Sequence, residues 1–436
     1  MSAAPSSSTP LARLATAQTA LGGSAAANAR RSAALERLLV LGLPTIRDEP
    51  WKYTNLRLLG SRDLAPAAAR PVAADALAVL PPREGPTVVF VDGAFNAGLS
   101  SDRLPAGVLV TPLARVLAGE VPAALLPRLG ATDAIDDRIR LLNASLLADG
   151  AVLGFSADCA ADQAVHVVHL ASGGGAYPRL VVSLSAGVNA RLVEYHLTTT
   201  EADSVAAPVT DISLEAGARL EHYSVTLIGA RAIQLEDVAV RVGADADYRH
   251  RHLALGGQLA RLDLRVRLEG PGASTQLAGL LIAERSHQID VRTRVDHAAP
   301  HTTSDQVYRG VANDRGRGSY DGKVVVHVGA AKSDSRQSSR NLILSAQATL
   351  DSRPQLEINT DDVKCSHGAT TGALDEQMLF YLLARGLDRD TARALLTFAF
   401  AEDVISKFAI APLRRFAEER VLGSLPAGAL IRDFVA

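Results

Sequence analysis

Over the middle of the chain apolar and polar residues alternate, as along a half-buried strand. In Leu262-Asp263-Leu264-Arg265-Val266-Arg267-Leu268 the apolar side chains fall on one face and the charged ones on the other. From about Ala151 to Leu374 short Val-, Leu- and Arg-rich strands follow one another, divided by Gly, Asn and Asp, with few helix signals. A weak repeat runs through them. Gly187, Gly217, Gly243, Gly272 and Gly329 each close one strand and open another, at intervals of about 26 to 30 residues with one interval about double. A mostly-strand repeat with turn glycines in register predicts the coils of a β-helix, each stacked on the next. A β-sandwich would give similar local alternation but turn signals every ~8–12 residues and no longer period.

The pattern differs on either side of this block. Apolar positions Ala34, Leu35, Leu38 and Leu39 recur at helical spacing within about Leu11–Leu41, and Gly42 and Pro44 stop the run. Val88-Val89-Phe90-Val91-Asp92-Gly93 reads as a strand and turn, and Asp136 to Ala148 as a short helix. After Leu374 helical spacing returns. Asp375 and Glu376 suit a helix start, Arg385-Gly386 a stop, and a second helix opens at Asp390-Thr391 and runs toward Phe408. Its apolar residues cover more than one face, so this pair either caps the solenoid or docks a partner. Three units are predicted: residues 1–150, mostly helical; 151–374, the β-helix core; and 375–436, a helical docking region.

Charge and cysteine usage narrow the class. A net charge of -2 gives no basic field, which argues against nucleic acid as the main partner. The two cysteines, Cys159 and Cys365, form no framework of bridges, as expected in a reducing cytoplasmic compartment. No apolar run approaches the ~20 residues of a membrane span. The Ala- and Ser-rich first thirty residues have the composition of a transit peptide, but the same residues are abundant throughout, and a frayed terminus before a helix is the simpler expectation.

The candidate chemistry lies in Asp361-Asp362-Val363-Lys364-Cys365-Ser366-His367-Gly368. On a strand Cys365 and His367 point the same way, about 6.5–7 Å apart at Cα, and can offer a soft metal two donors. Since such sites usually take about four, the rest must come from another strand, a substrate or a second protein. The alternative is a buried thiol beside a hydrogen-bonded histidine. His166, His169, His196, His222, His250 and His252 scatter through strands without metal-site spacing. Cys159 matches no motif and is expected to be structural. There is no Gly-x-x-x-x-Gly-Lys-Ser/Thr loop for ATP hydrolysis and no dinucleotide fingerprint.

The run from Arg353 through Thr370, followed by Leu379-Phe380-Tyr381-Leu382 and Arg385-Gly386, resembles the SufB/SufD family of iron–sulfur assembly scaffolds. So do Asp296 through Ser304, Gln337, and Asn341 through Ser345. Glu49-Pro50-Trp51-Lys52-Tyr53-Thr54-Asn55-Leu56, after Gly42-Leu43-Pro44, is similar to the SufD branch, as are the modest length and few cysteines. The resemblance implies a right-handed parallel β-helix flanked by helical terminal regions. It implies a non-catalytic subunit that pairs with SufB through the β-helices, while its carboxy-terminal helices hold the ABC-type ATPase SufC. ATP-driven SufC dimerisation would then distort the interface where a nascent iron–sulfur cluster is assembled. Within that reading Cys365 and His367 sit at the SufB interface, with His367 facing a SufB cysteine and Cys365 in support. Reduced FAD is associated with such assemblies, although no flavin motif stands in this chain. His297 and His301 are expected to hold a turn between coils, with Asp296, Thr302 and Thr303 as local partners.

Two other readings remain open on the residues. A SufB-like homodimeric scaffold would bring together two copies of Cys365 and His367. A carbohydrate-active β-helix enzyme would need paired carboxylates, but adjacent Asp361 and Asp362 face opposite ways on a strand, and aromatics are only 4% of the chain.

Overall fold

The computed structural model describes residues 10–67, 72, 74–120, 137–159 and 163–432. Its core is two long sheets laid face to face, between which the chain alternates strand by strand. One, the first sheet, starts at Thr87–Val91 and continues through Val165–Ala171, Asn189–Thr198, Arg219–Ile228, Asp247–Gly256, Ser274–Ala283, Thr303–Ala312 and Asp334–Ile343 to Lys364–Gly372. The second runs from Val108–Pro112 and Gly150–Phe155 through Arg179–Leu184, Val209–Leu214, Ala232–Val242, Leu259–Leu268, Gln288–His297 and Arg317–Val326 to Thr349–Ile358. Within the solenoid all neighbouring strands are parallel. This is the expected β-helix rather than a sandwich, because parallel neighbours one coil apart require a period near the sum of two strands and two corners.

The corners explain the glycine repeat and its missing beat. At one corner of successive coils a left-handed backbone recurs, at Gly187, Gly217, Asp245, Gly272, His301 and Lys332, with φ between 55° and 74°. Each donates its N–H to a carbonyl in the next coil, at Ala216, Ala244, Pro271, Pro300, Ala331 and Asp362. Glycine takes this conformation without steric cost, whereas Asp, His and Lys pay for it with the inter-coil hydrogen bond they gain. The doubled interval between Gly272 and Gly329 is therefore a coil whose corner is His301, not a skipped coil. In one coil the left-handed position is Asp245, near but not at Gly243, and in another Gly329 and Lys332 both adopt it.

Three layers of burial follow. Between the sheets lies one apolar core that includes Leu192, Leu220, Val240, Val266, Leu277 and Val324. On the outer face of the second sheet, the helices Pro10–Thr19, Ala25–Leu41 and Arg138–Leu146 pack Leu14, Leu38 and Leu142 against Val205, Ile233 and Leu259. On the outer face of the first sheet, Arg389–Ile405 and Ala411–Ser424 pack Phe398, Phe408 and Phe416 around Tyr223, Val225 and Leu280. Fully burying one such side chain contributes about 1.5–3 kcal/mol. The carboxy-terminal helices thus clad a flank of the solenoid and do not cap its end. Among the described residues no helix is long and apolar enough to cross a membrane.

The Glu49–Leu56 segment is latched to the second sheet. Arg261 lies 4.0 Å over the Trp51 ring and donates to Pro50 O and Thr54 Oγ1, both at 2.7 Å. Thr54 donates in turn to Asp290 Oδ2 at 2.8 Å. The lone tryptophan anchors packing here by stacking on a guanidinium. Below it a buried ion ladder ties helix Arg138–Leu146 to the sheet: Arg140 Nε lies 2.6 Å from Asp237 and Nη1 2.9 Å from Asp211.

Candidate functional site

Cys365 and His367 stand on the last strand, Lys364–Gly372, which pairs on one side only, with Asp334–Ile343. Register places Cys365 beside Ser335 and His367 beside Gln337, whose side chains face the space between the sheets. Ser335 accepts from Ser304 at 2.9 Å, and Gln337 Nε2 donates to the Tyr320 hydroxyl at 3.0 Å. Both candidate residues therefore project into the mouth of the solenoid lumen. Cys365 is half-buried against the lumen core, while His367 is exposed. Burial, and secondarily the negative charge of Asp334, push the Cys365 thiol up, so it is a protonated thiol at neutral pH until a metal displaces the proton. Asp361 and Asp362 precede the strand; Asp362 closes the last corner, with its carboxylate 2.6 Å from Lys332 Nζ.

The end of the solenoid is open. Nearly every residue of Lys364–Gly372 is exposed, whereas Thr349–Ile358, the terminal strand of the opposite sheet, is mostly half-buried, with Thr349, Asp351, Glu357 and Ile358 exposed. Beside it stands helix Glu376–Leu383, started by Asp375, which accepts from Gln377 N and Met378 N. Only Leu379 of this helix is buried; Met378, Phe380 and Tyr381 are 58%, 70% and 56% exposed. Large apolar residues gathered this way on a single turn mark an interaction surface.

The motif at His297 is structural in its contacts. Its Nδ1 lies 2.8 Å from Thr302 Oγ1 and its Nε2 2.9 Å from Ser304 Oγ, which locks the corner between two coils, as expected. Asp296 instead pairs with Arg294 and with His327 at 2.8 Å, and His301 is the left-handed corner residue, exposed. Neither cysteine is in a disulfide. Cys159 packs at the margin of the lumen core, and burial pushes its thiol up.

The remaining histidines correct the sequence reading. They are not scattered: all but His166 of that set turn into the lumen, because residues one coil apart share a register. His169 lies beside His196, His222 beside His250, and Glu194 beside Ser224 and then His252. The period that predicted the solenoid was the signal for this cluster; metal-site spacing within one strand was the wrong measure. Among the described residues, His169, Glu194 and His196 form the only group of three such donors close enough to hold one metal ion, with ligand atoms within 4.8 Å of one another. Glu194 Oε2 is 3.4 Å from His169 Nε2 and 3.9 Å from His196 Nε2. Glu236, from the opposite sheet, brings Oε1 to 3.5 Å of His196 Nε2. Burial alone would raise both carboxyls, but the histidines beside them hold Glu194 well below the usual carboxylate range and lower Glu236 too.

Comparison with known proteins agrees with this architecture. The family described as the SUF system FeS cluster assembly, SufBD core domain, matches residues 167–400, and the SufBD protein N-terminal region matches residues 13–167. The iron–sulfur cluster assembly protein SufD of Escherichia coli is 28% identical over 91% of this chain and 92% of its own length. The chloroplast protein ABCI7 of Arabidopsis thaliana is 27% identical over 98% of this chain and 88% of its own, and a SufBD family protein of Synechocystis is 27% identical over 88% of each. With a family match that spans more than half of its length and a parallel solenoid flanked by helices, this chain belongs to the SufBD family of iron–sulfur cluster assembly proteins.

Proposed function

We propose that the chain is a non-catalytic scaffold subunit that joins the open end of its solenoid to a SufB-type partner and shares a nascent iron–sulfur cluster with it through His367 and Cys365. The observation that carries this reading is the bare terminal coil. An exposed strand edge is a template for pairing with another chain, and natural proteins leave one long and uncovered only where it is used. Two donors in the mouth of that edge form half of a metal site, and a partner edge that supplies a thiolate completes it. Cluster ions are cargo in this scheme, so the site need not be preformed. The exposed Phe380 turn is proposed as the place where a SufC-type ATPase docks, and the cytoplasm as the compartment. Reduced flavin is left out of the proposal, because neither the relatives' names nor the geometry supports it.

The test is co-purification with the SufB- and SufC-type proteins of the same organism, followed by anaerobic reconstitution read by visible absorption. His367→Ala is expected to keep the complex and lose most of the cluster absorption. A complex with undiminished absorption would move the chemistry wholly to the partner, and no complex at all would remove the scaffold reading. A homodimeric scaffold predicts instead that the chain alone, as a dimer, holds a cluster.

A further inference from the structure

The interior of the first coils poses a problem that the proposed function does not solve. Glu194 and Glu236 are buried, with side chains 0% and 2% exposed. A buried carboxylate costs several kcal/mol unless a cation and hydrogen bonds compensate it. Here Thr210 Oγ1 reaches Glu194 at 3.3 Å, while Gln234 Nε2 donates to Glu236 Oε2 at 3.0 Å. Among the described residues, the basic side chains at ion-pair distance from the two carboxylates are histidines, His169, His196 and His222.

The ring nitrogens are the second observation. Both nitrogens of His169, and Nε2 of His196 and His222, are buried without a hydrogen-bond partner. A structural ion-pair network would aim those N–H groups along the carboxylate lone pairs; these lie near the oxygens but out of hydrogen-bonding geometry. Buried imidazoles with unused nitrogens beside a buried carboxylate are what a metal site looks like in a structure that holds no ion.

We propose that His169, Glu194 and His196, with Glu236 as a fourth donor, form a divalent transition-metal site in the first coils of the solenoid, distinct from Cys365 and His367. Donors about 2.1 Å from one ion stand roughly 3–4 Å apart; the histidine–glutamate separations of 3.4, 3.9 and 3.5 Å fall in that range, and no pair among His169, Glu194 and His196 exceeds 4.8 Å. Two imidazoles and two carboxylates suit ferrous iron or zinc, and the donor set contains no sulfur to favour copper(I) or a cluster. The His169 and His196 rings stack 4.8 Å apart and 8° from parallel, so ligation requires them to tilt until both Nε2 atoms face the ion. Nothing hydrogen-bonded to either Nε2 resists that tilt. Space is at hand on the scale of one ion or water: a cavity of about 20 Å³ is lined by His169, His196, Gly93, Ala176 and Gln234.

The probe is Co(II), whose visible absorption reports coordination by nitrogen and oxygen. It is titrated anaerobically into the chelator-stripped full chain carrying Cys365→Ser and His367→Ala, so that only the lumen contributes. One equivalent is expected to bind and to raise the melting temperature. Glu194→Gln or His196→Asn on that background, with folding checked by circular dichroism, should weaken binding at least about tenfold. Undiminished binding by either folded variant overturns the proposal, as does the absence of one-equivalent binding. Should the variants fail to fold, anomalous scattering from Co(II)-soaked crystals of the unmodified chain decides. A peak between His169 and His196 sustains the site, and its absence ends it. Because the open end is disabled in the titrated protein, failure here leaves the scaffold reading untouched.

Discussion

The two ends of the solenoid are finished in opposite ways. At the first, the parallel ladder is closed by antiparallel partners: Ala94–Phe95 folds back on Thr87–Val91, and Val108–Pro112 runs against Gly150–Phe155. Helices and the ion ladder of Arg140 then cover the flank, and Val167 and Val168 have no measurable exposure. At the second, the coil simply stops, with Lys364–Gly372 paired on one side and exposed along almost its whole length. Both ends face the same hazard of edge-to-edge association. Only one is guarded against it, and the candidate metal donors of the proposed cluster site stand at the other. The contrast points to a surface retained for a partner, since the fold demonstrably has means of closing a coil.

The comparison can be broken most severely by removing what lies beside the open end. Truncation after Leu374 uncovers Tyr223, Val225, Leu253 and Leu280 by deleting the helices that bury them, so the expected outcome is an aggregated product by size-exclusion chromatography, not a folded chain that has merely lost a partner. Phe380→Glu is the cleaner probe. At 70% exposure it should fold normally and yet lose capture of the SufC-type ATPase, while retained capture would place that dock elsewhere.

Proline at each end gives a paired test of intermediate size. Lys364 N bonds to Ser333 O, so by alternation the N–H groups of Cys365, His367 and Ala369 point away from the neighbouring strand, to the unpaired side. Ala369→Pro should leave the melting temperature within about 2 °C and weaken association with the SufB-type partner by tenfold or more. Val167→Pro, between two paired strands, should cost about 3 kcal/mol or more of stability. Equal losses of stability from both would show that the last strand is not a free edge.

How much of this was legible without coordinates depends on the range of the interaction concerned. Alternation in Leu262–Leu268 and the recurring glycines pointed to coils, because face and corner are local properties that each strand declares for itself. The corner at His301 was hidden because any residue can adopt the left-handed backbone when an inter-coil bond, here to Ala331 O, compensates. The half-site at Cys365 and His367 was visible as a short motif. The lumen cluster was not: His169 and Glu194 are twenty-five residues apart and meet only because one coil's register sets His169 against His196, diagonal to Glu194. Aligning the chain on its own period would have stacked His169 on His196 and His222 on His250. The open end could not be read at all, since no local residue pattern says that the next coil is missing.

The smallest effect expected concerns Cys365, and it separates the two roles left for that residue. Burial and then Asp334 raise its thiol, so the thiolate fraction near pH 7–8 is below that of an unperturbed cysteine, and alkylation by iodoacetamide should be correspondingly slow. Asp334→Asn removes the repulsive charge, lowers the thiol's pKa and should speed alkylation by about two- to threefold at low ionic strength, an effect that salt erodes. The residual slowness belongs to burial and should persist. A ligand must give up this proton on binding, so if Cys365 holds metal, loading of the partnered complex becomes easier as pH rises through the raised value, and Asp334→Asn shifts that rise to lower pH. If Cys365 only packs beneath His367, Asp334→Asn still speeds alkylation while the pH dependence of loading stays where it was.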